Sequence, residues 1–251
     1  MAFLARDLFL RAQEKKPQLL KLLLSLALSR RRRCEDMVDG NRRVSANNQA
    51  YWDGRYANSA DAGLSWSEGS DSLSLEWILE VATEASSIVD IGAGRSMLLP
   101  TLLSRGYTDL THVDWSKSAS LSLQRSLGCR APRIKWVVDD LLKWQPGHPI
   151  DLWHDRAVFH FQVDSESINK YLESVHRNVR WGGYVLIATF HLDGPTKCSG
   201  LPVKRYDENS ILAVLNSCSS VKWTDVRSAI WEHVTPAGFK QDFQYLLARR
   251  G

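Results

Sequence analysis

The sequence predicts an α/β protein with a mostly parallel seven-stranded sheet, helices on both faces and a C-terminal antiparallel hairpin. Three observations indicate this class. From residue 87 onward, short runs rich in β-branched and aromatic residues alternate with stretches of helical character. A glycine-containing turn follows the first of these runs. The last two runs are joined by a link too short for a crossover helix, so they should form a hairpin at one edge.

The predicted elements follow this alternation. Strands are predicted at 87–91, 110–114, 134–138, 150–154, 183–190, 221–226 and 241–248. Helices are predicted at 98–105, 117–126, 167–179 and 208–216. Because strands alternate with helices in this part of the chain, we expect right-handed crossovers between parallel neighbours.

Composition bounds the class of protein and its partners. A chain of 251 residues with 44% hydrophobic and 24% charged composition is long enough for one sizeable core. The first 50 residues hold 11 Lys or Arg against 5 Asp or Glu, whereas the remainder holds 21 against 23. A nucleic-acid binder carries its basic surface on the folded domain, so this distribution argues against a nucleic-acid partner. The four widely spaced cysteines fit a reducing compartment, and none has the spacing of a metal site.

Residues 1–48 are predicted to be a basic N-terminal extension, and residues 49–251 the folded domain. Leucines recur in the extension at helical spacing among Lys and Arg, a pattern typical of organelle-targeting peptides. Its acidic residues and its proline fit a cytosolic amphipathic segment equally well. We expect an intracellular, cytoplasmic protein, with a mitochondrial destination as the alternative. No apolar run approaches the about 18 residues of a membrane span.

The stretch VDIGAGRS, at 89–96, forms the turn after the first predicted strand. Gly92 and Gly94 remove the Cβ atoms that would clash with a ligand or disfavour a positive φ. The third glycine of a dinucleotide fingerprint would fall at Met97, and no P-loop lysine follows. Nicotinamide, flavin and nucleoside triphosphate ligands therefore fit this turn poorly.

Acidic residues stand at three successive strand ends. Asp114 can accept hydrogen bonds from two ribose hydroxyls, and a carboxylate of Asp139 or Asp140 can accept from an adenine amine. Asp90 suits a cationic amine. Each acid alone is typical of a helix cap or turn. Together they predict a site for an adenosine that carries a positively charged amino-acid tail.

These motifs resemble those of class I S-adenosylmethionine-dependent methyltransferases, which have a Rossmann-like fold. The resemblance rests on VDIGAG, the acid at Asp114, the DD pair and RNVRWGGYVLIATF, and it covers roughly residues 50 to 250. It implies S-adenosyl-L-methionine as the cofactor, its methionine end at the glycine turn, its ribose at Asp114 and its adenine amine at Asp140. The implied cofactor-binding residues of this part are Asp90, Gly92, Ala93, Gly94, Asp114, Trp115, Asp139 and Asp140.

The segment YWDGRY, at 51–56, resembles the N-terminal segment of translation-elongation-factor lysine methyltransferases and of a bacterial-type group of uncharacterised methyltransferases. The resemblance implies a helix that folds over the cofactor, with Trp52, Arg55 and Tyr56 closing its methionine end. The alternative for Trp52 is that it packs the helix onto the sheet.

The segment DLWHDRAVFHFQ, at 151–162, follows the fourth predicted strand and holds the candidate catalytic residues. His154 is a candidate base that also borders the cofactor site, and Asp155 a candidate for orienting or deprotonating an amine. In the same relatives an acid-then-base pair matches Asp155 and Arg156. The alternative is that these two residues pair with each other or cap the next helix.

The sequence therefore predicts an S-adenosylmethionine-dependent methyltransferase, with a protein lysine amine as the first choice of acceptor. A small-molecule acceptor is the alternative, and a non-catalytic binding partner of the same fold is the second. A nicotinamide or nucleotide-sugar enzyme is the remaining rival. The sequence leaves the oligomeric state open.

Overall fold

The structure, a computed structural model, describes residues 48–57, 72–217 and 220–251, which combine helices with strands. The helices are α1 (Gln49–Ala57), α2 (Leu73–Val81), α3 (Leu98–Ser104), α4 (Lys117–Leu127), α5 (Ser165–Asn178) and α6 (Glu208–Leu215). The strands are β1 (Ser87–Ile91), β2 (Asp109–Asp114), β3 (Lys135–Val138), β4 (Ile150–Arg156), β5 (Val179–Phe190), β6 (Lys197–Cys198), β7 (Leu201–Pro202), β8 (Trp223–Val234) and β9 (Lys240–Arg250). Short 3-10 turns lie at Gly128–Arg133 and Phe159–Phe161.

The main sheet has seven strands in the order β3-β2-β1-β4-β5-β9-β8. The pairs from β3 to β5 are all parallel, whereas β9 runs antiparallel to both β5 and β8. This arrangement confirms the predicted sheet and its C-terminal hairpin.

The order of the strands reverses at β1. The chain moves outward from β1 through β2 to β3, then returns to the other side of β1 as β4. In open α/β sheets the helices above such a reversal diverge, which leaves a crevice at the carboxyl ends of the strands. The carboxyl ends of β1 and β4 therefore frame the place where a ligand is expected.

Each face of the sheet is covered by its own hydrophobic core. Helices α2, α3 and α4 pack on the face that carries Ile88 and Leu152. Helices α5 and α6 pack on the face that carries Val89 and Trp153. Because side chains alternate along a strand, neighbouring residues of β1 and β4 belong to opposite cores. This alternation decides where the polar residues of β4 point.

Strands β5 and β8 extend furthest beyond their predicted bounds. Strand β5 begins at Val179, because Gly182, at φ +72°, bends the strand instead of ending it, and the pairing with β4 is irregular there. Strand β8 continues to Val234 as an edge strand with largely exposed residues. An edge strand exposed on both faces lacks the alternation of apolar residues from which a strand is predicted.

Helix α2 is an element that the sequence prediction lacks. Its amino end is capped by the Ser72 hydroxyl, which accepts from the Leu75 amide at 3.2 Å. Trp77 and Ile78 are fully buried against the sheet. The helix brings Ser74, which is also buried, to the carboxyl half of β4.

The predictions for the extension fall outside the described residues. All described residues belong to one compact unit, and the boundary near residue 48 stays a prediction. None of the helices within these residues is long and apolar enough to cross a membrane.

Candidate cofactor-binding site

A cleft of about 740 Å³, partly open to solvent, lies at the carboxyl ends of β1 to β4. Its lining residues are Trp52, Tyr56, Gly92, Val113, Asp114, Trp115, Asp139, Leu141, Arg156, Ala157, Val158, Phe161, Gln162, Cys198 and Ser199. The cleft therefore coincides with the crevice that the strand order creates.

The glycine turn has a backbone that only glycine adopts readily. Gly92 and Gly94 have φ values of +59° and +54°. A Cβ atom on Gly92 would lie 2.2 Å from Val158 Cγ2, and one on Gly94 would lie 2.1 Å from the Tyr56 hydroxyl. Both glycines are thus required by conformation and by the close approach of neighbouring side chains.

Strand β2 fixes the peptide groups on both sides of Gly94. The Gly94 amide donates to Asp114 Oδ2 at 2.8 Å, and the Gly94 carbonyl accepts from His112 Nε2 at 2.9 Å. The Ser116 amide donates to the other oxygen, Asp114 Oδ1, at 2.6 Å. His112 is a site residue that the sequence prediction lacks, because its role depends on the register between β1 and β2.

Asp114 remains able to bind a ligand. It lines the cleft and is 7% exposed, and burial raises the pKa of its carboxyl. Each carboxylate oxygen accepts one backbone amide, yet a carboxylate offers about four lone-pair positions. Two hydroxyl groups of a ribose can therefore be accepted without displacing either amide.

The two acids after β3 have different surroundings. Asp139 lines the cleft. Asp140 instead accepts from the Leu142 amide at 3.0 Å and lies 3.6 Å from the Lys143 ammonium. Asp139 therefore belongs to the lining of the cleft, and Asp140 does not.

Helix α1 is attached to the loop after β2. Asp53 Oδ1 accepts from the Ser116 hydroxyl and from the Ser118 amide, each at 2.8 Å. The Gln49 side-chain amide donates to the Trp115 carbonyl at 3.1 Å. These bonds place α1 over the carboxyl end of β2.

Contacts from the other loops hold α1 across the cleft. The Tyr56 carbonyl accepts from Arg95 Nη2 at 2.6 Å, and the Trp52 ring meets the Phe161 ring edge-on, with centroids 5.2 Å apart. The Tyr51 hydroxyl donates to the Ser199 carbonyl in the β6–β7 hairpin. Helix α1 therefore forms a cover for the cleft, with Trp52 and Tyr56 facing into it and Arg55 exposed.

The HDR segment consists of His154, Asp155 and Arg156, and these three consecutive residues have different environments. His154 is 3% exposed, and its Nδ1 lies 2.7 Å from Asp90 Oδ1 while its Nε2 lies 2.8 Å from the Ser74 hydroxyl. It is enclosed beneath α2 and is not part of the cleft lining.

Asp155 points into the opposite core and holds the turn after β4. Its Oδ1 accepts from the amides of Val158 and Phe159 at 3.0 and 3.2 Å, and its Oδ2 accepts from the Tyr171 hydroxyl at 2.6 Å. Complete burial raises the pKa of Asp155 to about 6. These bonds place Val158 against Gly92. Asp155 therefore affects the shape of the cleft through Val158, which lines it.

Arg156 is the member of the HDR segment that lines the cleft. Its Nε donates to the Tyr245 hydroxyl at 3.0 Å, and its guanidinium lies 4.3 Å from the centroid of the Phe243 ring. Strand β9 therefore fixes the orientation of this cation at the mouth of β4.

The part of the cleft beyond β4 combines apolar and neutral polar groups. Gln162 is 3% exposed, and its Oε1 accepts no hydrogen bond from any described residue. Burial raises the pKa of Cys198 to about 11, so it is a neutral thiol. Burial also lowers the pKa of His160 to about 3, and this ring lies outside the cleft lining.

Comparison with known proteins identifies the fold. Residues 88–183 match the model of a family described as methyltransferase domain. A trans-aconitate 2-methyltransferase from Azoarcus sp. (strain BH72) is 29% identical over 105 residues, which are 41% of this chain and 39% of that protein. The match therefore spans well under half the length of this relative.

Solved structures of similar architecture agree. One, from work on the conversion of a disulfide bond into a thioacetal group during echinomycin biosynthesis, has a TM-score of 0.64 at 16% identity and covers 81% of this chain and 92% of that chain. The fold is that of the class I methyltransferases. The 1,6-didemethyltoxoflavin-N1-methyltransferase of Burkholderia thailandensis, with bound S-adenosylhomocysteine, has a TM-score of 0.53 at 18% identity, over 90% of this chain and 88% of that chain.

Within this methyltransferase fold, the structure brings only some of the predicted site residues to the cleft. Those that line it are Trp52, Tyr56, Gly92, Asp114, Trp115, Asp139 and Arg156. Those outside the lining are Arg55, Asp90, Ala93, Gly94, Asp140, His154 and Asp155. Among the latter, Gly94 lies beneath the Tyr56 hydroxyl and Ala93 donates its amide to the Val113 carbonyl at 3.2 Å.

The raised pKa of Asp155 predicts a specific pH dependence of stability. Between its ordinary pKa of 3.8 and its folded pKa of about 6, the folded state binds the proton more tightly than the unfolded state. The free energy of unfolding therefore falls as the pH rises through this window, by up to about 3 kcal/mol. Asp155→Asn is isosteric and cannot ionise. Urea titrations at pH 4 and pH 7 should show the variant gaining this much relative to the native chain, and a pH-independent difference would contradict the assignment.

The buried Gln162 amide predicts a variant of increased stability. Gln162→Leu removes a buried, unsatisfied oxygen, so we expect the free energy of unfolding to rise by about 1 kcal/mol. Gln244→Leu is the matched control, because the Gln244 amide is equally buried but donates to the Tyr245 carbonyl at 3.0 Å. The control should be destabilised in the same denaturant titration. Equal destabilisation of both variants would show that Gln162 is satisfied.

Proposed function

We propose that the chain is an S-adenosylmethionine-dependent methyltransferase that acts on a small-molecule acceptor. The observation that carries this proposal is the position of Asp114, a buried carboxylate that lines the cleft at the end of β2 and binds the glycine turn. A carboxylate at this strand end is suited to the ribose of an adenosine ligand.

The cleft, together with the end of β1 beside it, fits the cofactor at each of its parts. Asp139 supplies an acceptor for an adenine amine, and Asp114 supplies one for the ribose. Asp90 is 2% exposed, and its Oδ2 accepts no hydrogen bond from any described residue. A buried, unsatisfied carboxylate oxygen is costly unless a donor or cation completes it. The ammonium of the methionine end is such a group.

When bound, the cofactor supplies a methyl group on a cationic sulfur. A nucleophile of the acceptor attacks the methyl carbon in line, and the sulfur leaves as a neutral thioether. The chain has to orient that nucleophile and exclude water. Trp52 and Phe161 provide an apolar wall, and α1 covers the cleft above it. Methyl transfer does not oxidise or reduce any group of the protein, so it requires no redox-active residue.

The groups of the cleft favour an acceptor that arrives without a proton to remove. Among the described lining residues there is no histidine, and the two carboxylates, Asp114 and Asp139, lie at the adenosine end. His154 and Asp155 have both ends of their side chains engaged in the cores. A carboxylate, a thiolate or a neutral ring nitrogen would need no base from these residues.

The relatives support a small acceptor. One is a trans-aconitate 2-methyltransferase, and another is solved with bound 1,6-didemethyltoxoflavin. The protein lysine acceptor expected from the YWDGRY segment receives no support from these relatives. A lysine ammonium would also have to lose a proton, and it would approach the guanidinium of Arg156. A non-catalytic partner is disfavoured because the acids and glycines expected to hold the cofactor are all present.

The proposal is tested by calorimetric titration of the full chain with S-adenosylhomocysteine and, separately, with NAD. We expect binding of the first ligand alone. Asp114→Asn should weaken S-adenosylhomocysteine at least about tenfold, the loss expected for hydrogen bonds to a charged group. Asp109→Asn is the matched control at the opposite end of β2, where Asp109 contacts Lys135, and its affinity should equal that of the native chain.

A second variant guards against misfolding of the first. Asp139→Asn changes an exposed residue, so folding should be intact, and it should weaken S-adenosylhomocysteine by about threefold. Preference for NAD, or unchanged affinity in both cleft variants, would overturn the assignment of the site.

A further inference from the structure

A series of hydrogen bonds through three buried side chains links helix α2 to the end of β1, before the glycine turn. Ser74 in α2 contacts His154 Nε2 at 2.8 Å, and His154 Nδ1 contacts Asp90 Oδ1 at 2.7 Å. All three residues are at most 3% exposed. His154 and Asp90 stand directly opposite each other in the parallel pairing of β4 and β1. The register between β1 and β4 therefore fixes the contact between His154 and Asp90.

Asp90 and Ser74, the two end members of this series, determine which atom donates and which accepts in each hydrogen bond. An ionised Asp90 oxygen can only accept, so His154 Nδ1 carries the hydrogen and donates. The remaining nitrogen, Nε2, then accepts from the Ser74 hydroxyl if the imidazole is neutral. In this arrangement both ring nitrogens of His154 have a hydrogen-bond partner, and the ring fixes one oxygen of Asp90.

Asp90 is held by one oxygen and incomplete at the other. Its Oδ2 is buried and accepts no hydrogen bond from any described residue. The carboxylate lies two residues before Gly92, at the carboxyl end of β1. A fixed carboxylate with one unsatisfied oxygen at this position is ready to receive a cationic donor.

We propose that Ser74 and His154 are positioning residues that hold the Asp90 carboxylate in place for the amino group of the cofactor. This inference rests on the proposed function and assigns a role to two residues beyond it. His154 acts through Asp90 and does not touch the acceptor, because both its ring nitrogens are engaged and its side chain is outside the cleft lining. The histidine of the HDR segment thus serves cofactor binding.

The proposal predicts a loss of affinity that depends on the methionine part of the ligand. S-adenosylhomocysteine carries the amino group, whereas 5′-methylthioadenosine shares its nucleoside and thioether but lacks the amino acid. His154→Leu should weaken S-adenosylhomocysteine about tenfold and leave 5′-methylthioadenosine within about twofold. Titration of the full chain with both ligands measures this difference.

Two further variants separate positioning from general structural loss. His154→Asn places an amide nitrogen near the position of Nδ1, so it should restore most of the affinity for S-adenosylhomocysteine. Ser74→Ala removes only the distant hydroxyl and should weaken this ligand by about threefold, again without affecting 5′-methylthioadenosine. His176→Leu is the control for loss of a partly buried histidine, because His176 bonds the Leu215 carbonyl away from the cleft.

The outcomes distinguish the positioning role of His154 and Ser74 from the proposed function. Selective loss of S-adenosylhomocysteine in His154→Leu, with rescue in His154→Asn, supports the inference. Equal loss of both ligands, or no loss in either His154→Leu or Ser74→Ala, overturns it while leaving the proposed function intact. Failure of the native chain to bind either ligand would instead overturn the proposed function.

Discussion

The peptide groups of Gly94 are the constraint on which the site depends. Strand β2 holds the amide through Asp114 and the carbonyl through His112, so the turn after β1 has one conformation relative to its neighbour. The positive φ values of the turn require glycine, and the hydrogen bonds fix its direction. The reversal of strand order at β1 creates the crevice. The hydrogen bonds of Gly94 with Asp114 and His112 then fix the backbone that borders it. The Asp114 carboxylate that accepts from the turn also lines the cleft, so one group serves both the fold and the cleft.

Strand alternation explains why neighbouring residues of one motif have separate tasks. His154 points beneath α2 and meets Asp90, whereas Asp155 points into the other core and binds the turn that carries Val158. Both act on the glycine turn, one from each side of the sheet. Arg156, at the strand end, reaches the cleft. His154 and Asp155 therefore support the glycine turn from opposite faces of the sheet, and Arg156 contributes the cation of this segment to the cleft.

Local pattern predicted much of the fold, and long-range register explains what it did not predict. The strand at Ser87–Ile91 lies where the sequence prediction places it, because a short run rich in β-branched residues and bounded by a glycine turn is typical of a strand. Acids at the ends of β2 and β3 also follow from local pattern. The clamp by His112, the bond between Asp53 and Ser116, and the burial of His154 depend on pairings between distant segments. Helix α2 is short and buried along most of its length, so it lacks the amphipathic period by which helices are recognised.

We propose that S-adenosylmethionine binds between the glycine turn and the covering helix α1. Hydrogen exchange of backbone amides, with and without saturating S-adenosylhomocysteine, tests it directly, because bound ligand slows exchange where it closes local openings. We expect slower exchange in two places, at residues 92–96 and in α1, with no change in the distant β8–β9 hairpin. Protection confined to that hairpin, or absent from both the turn and α1, would contradict it.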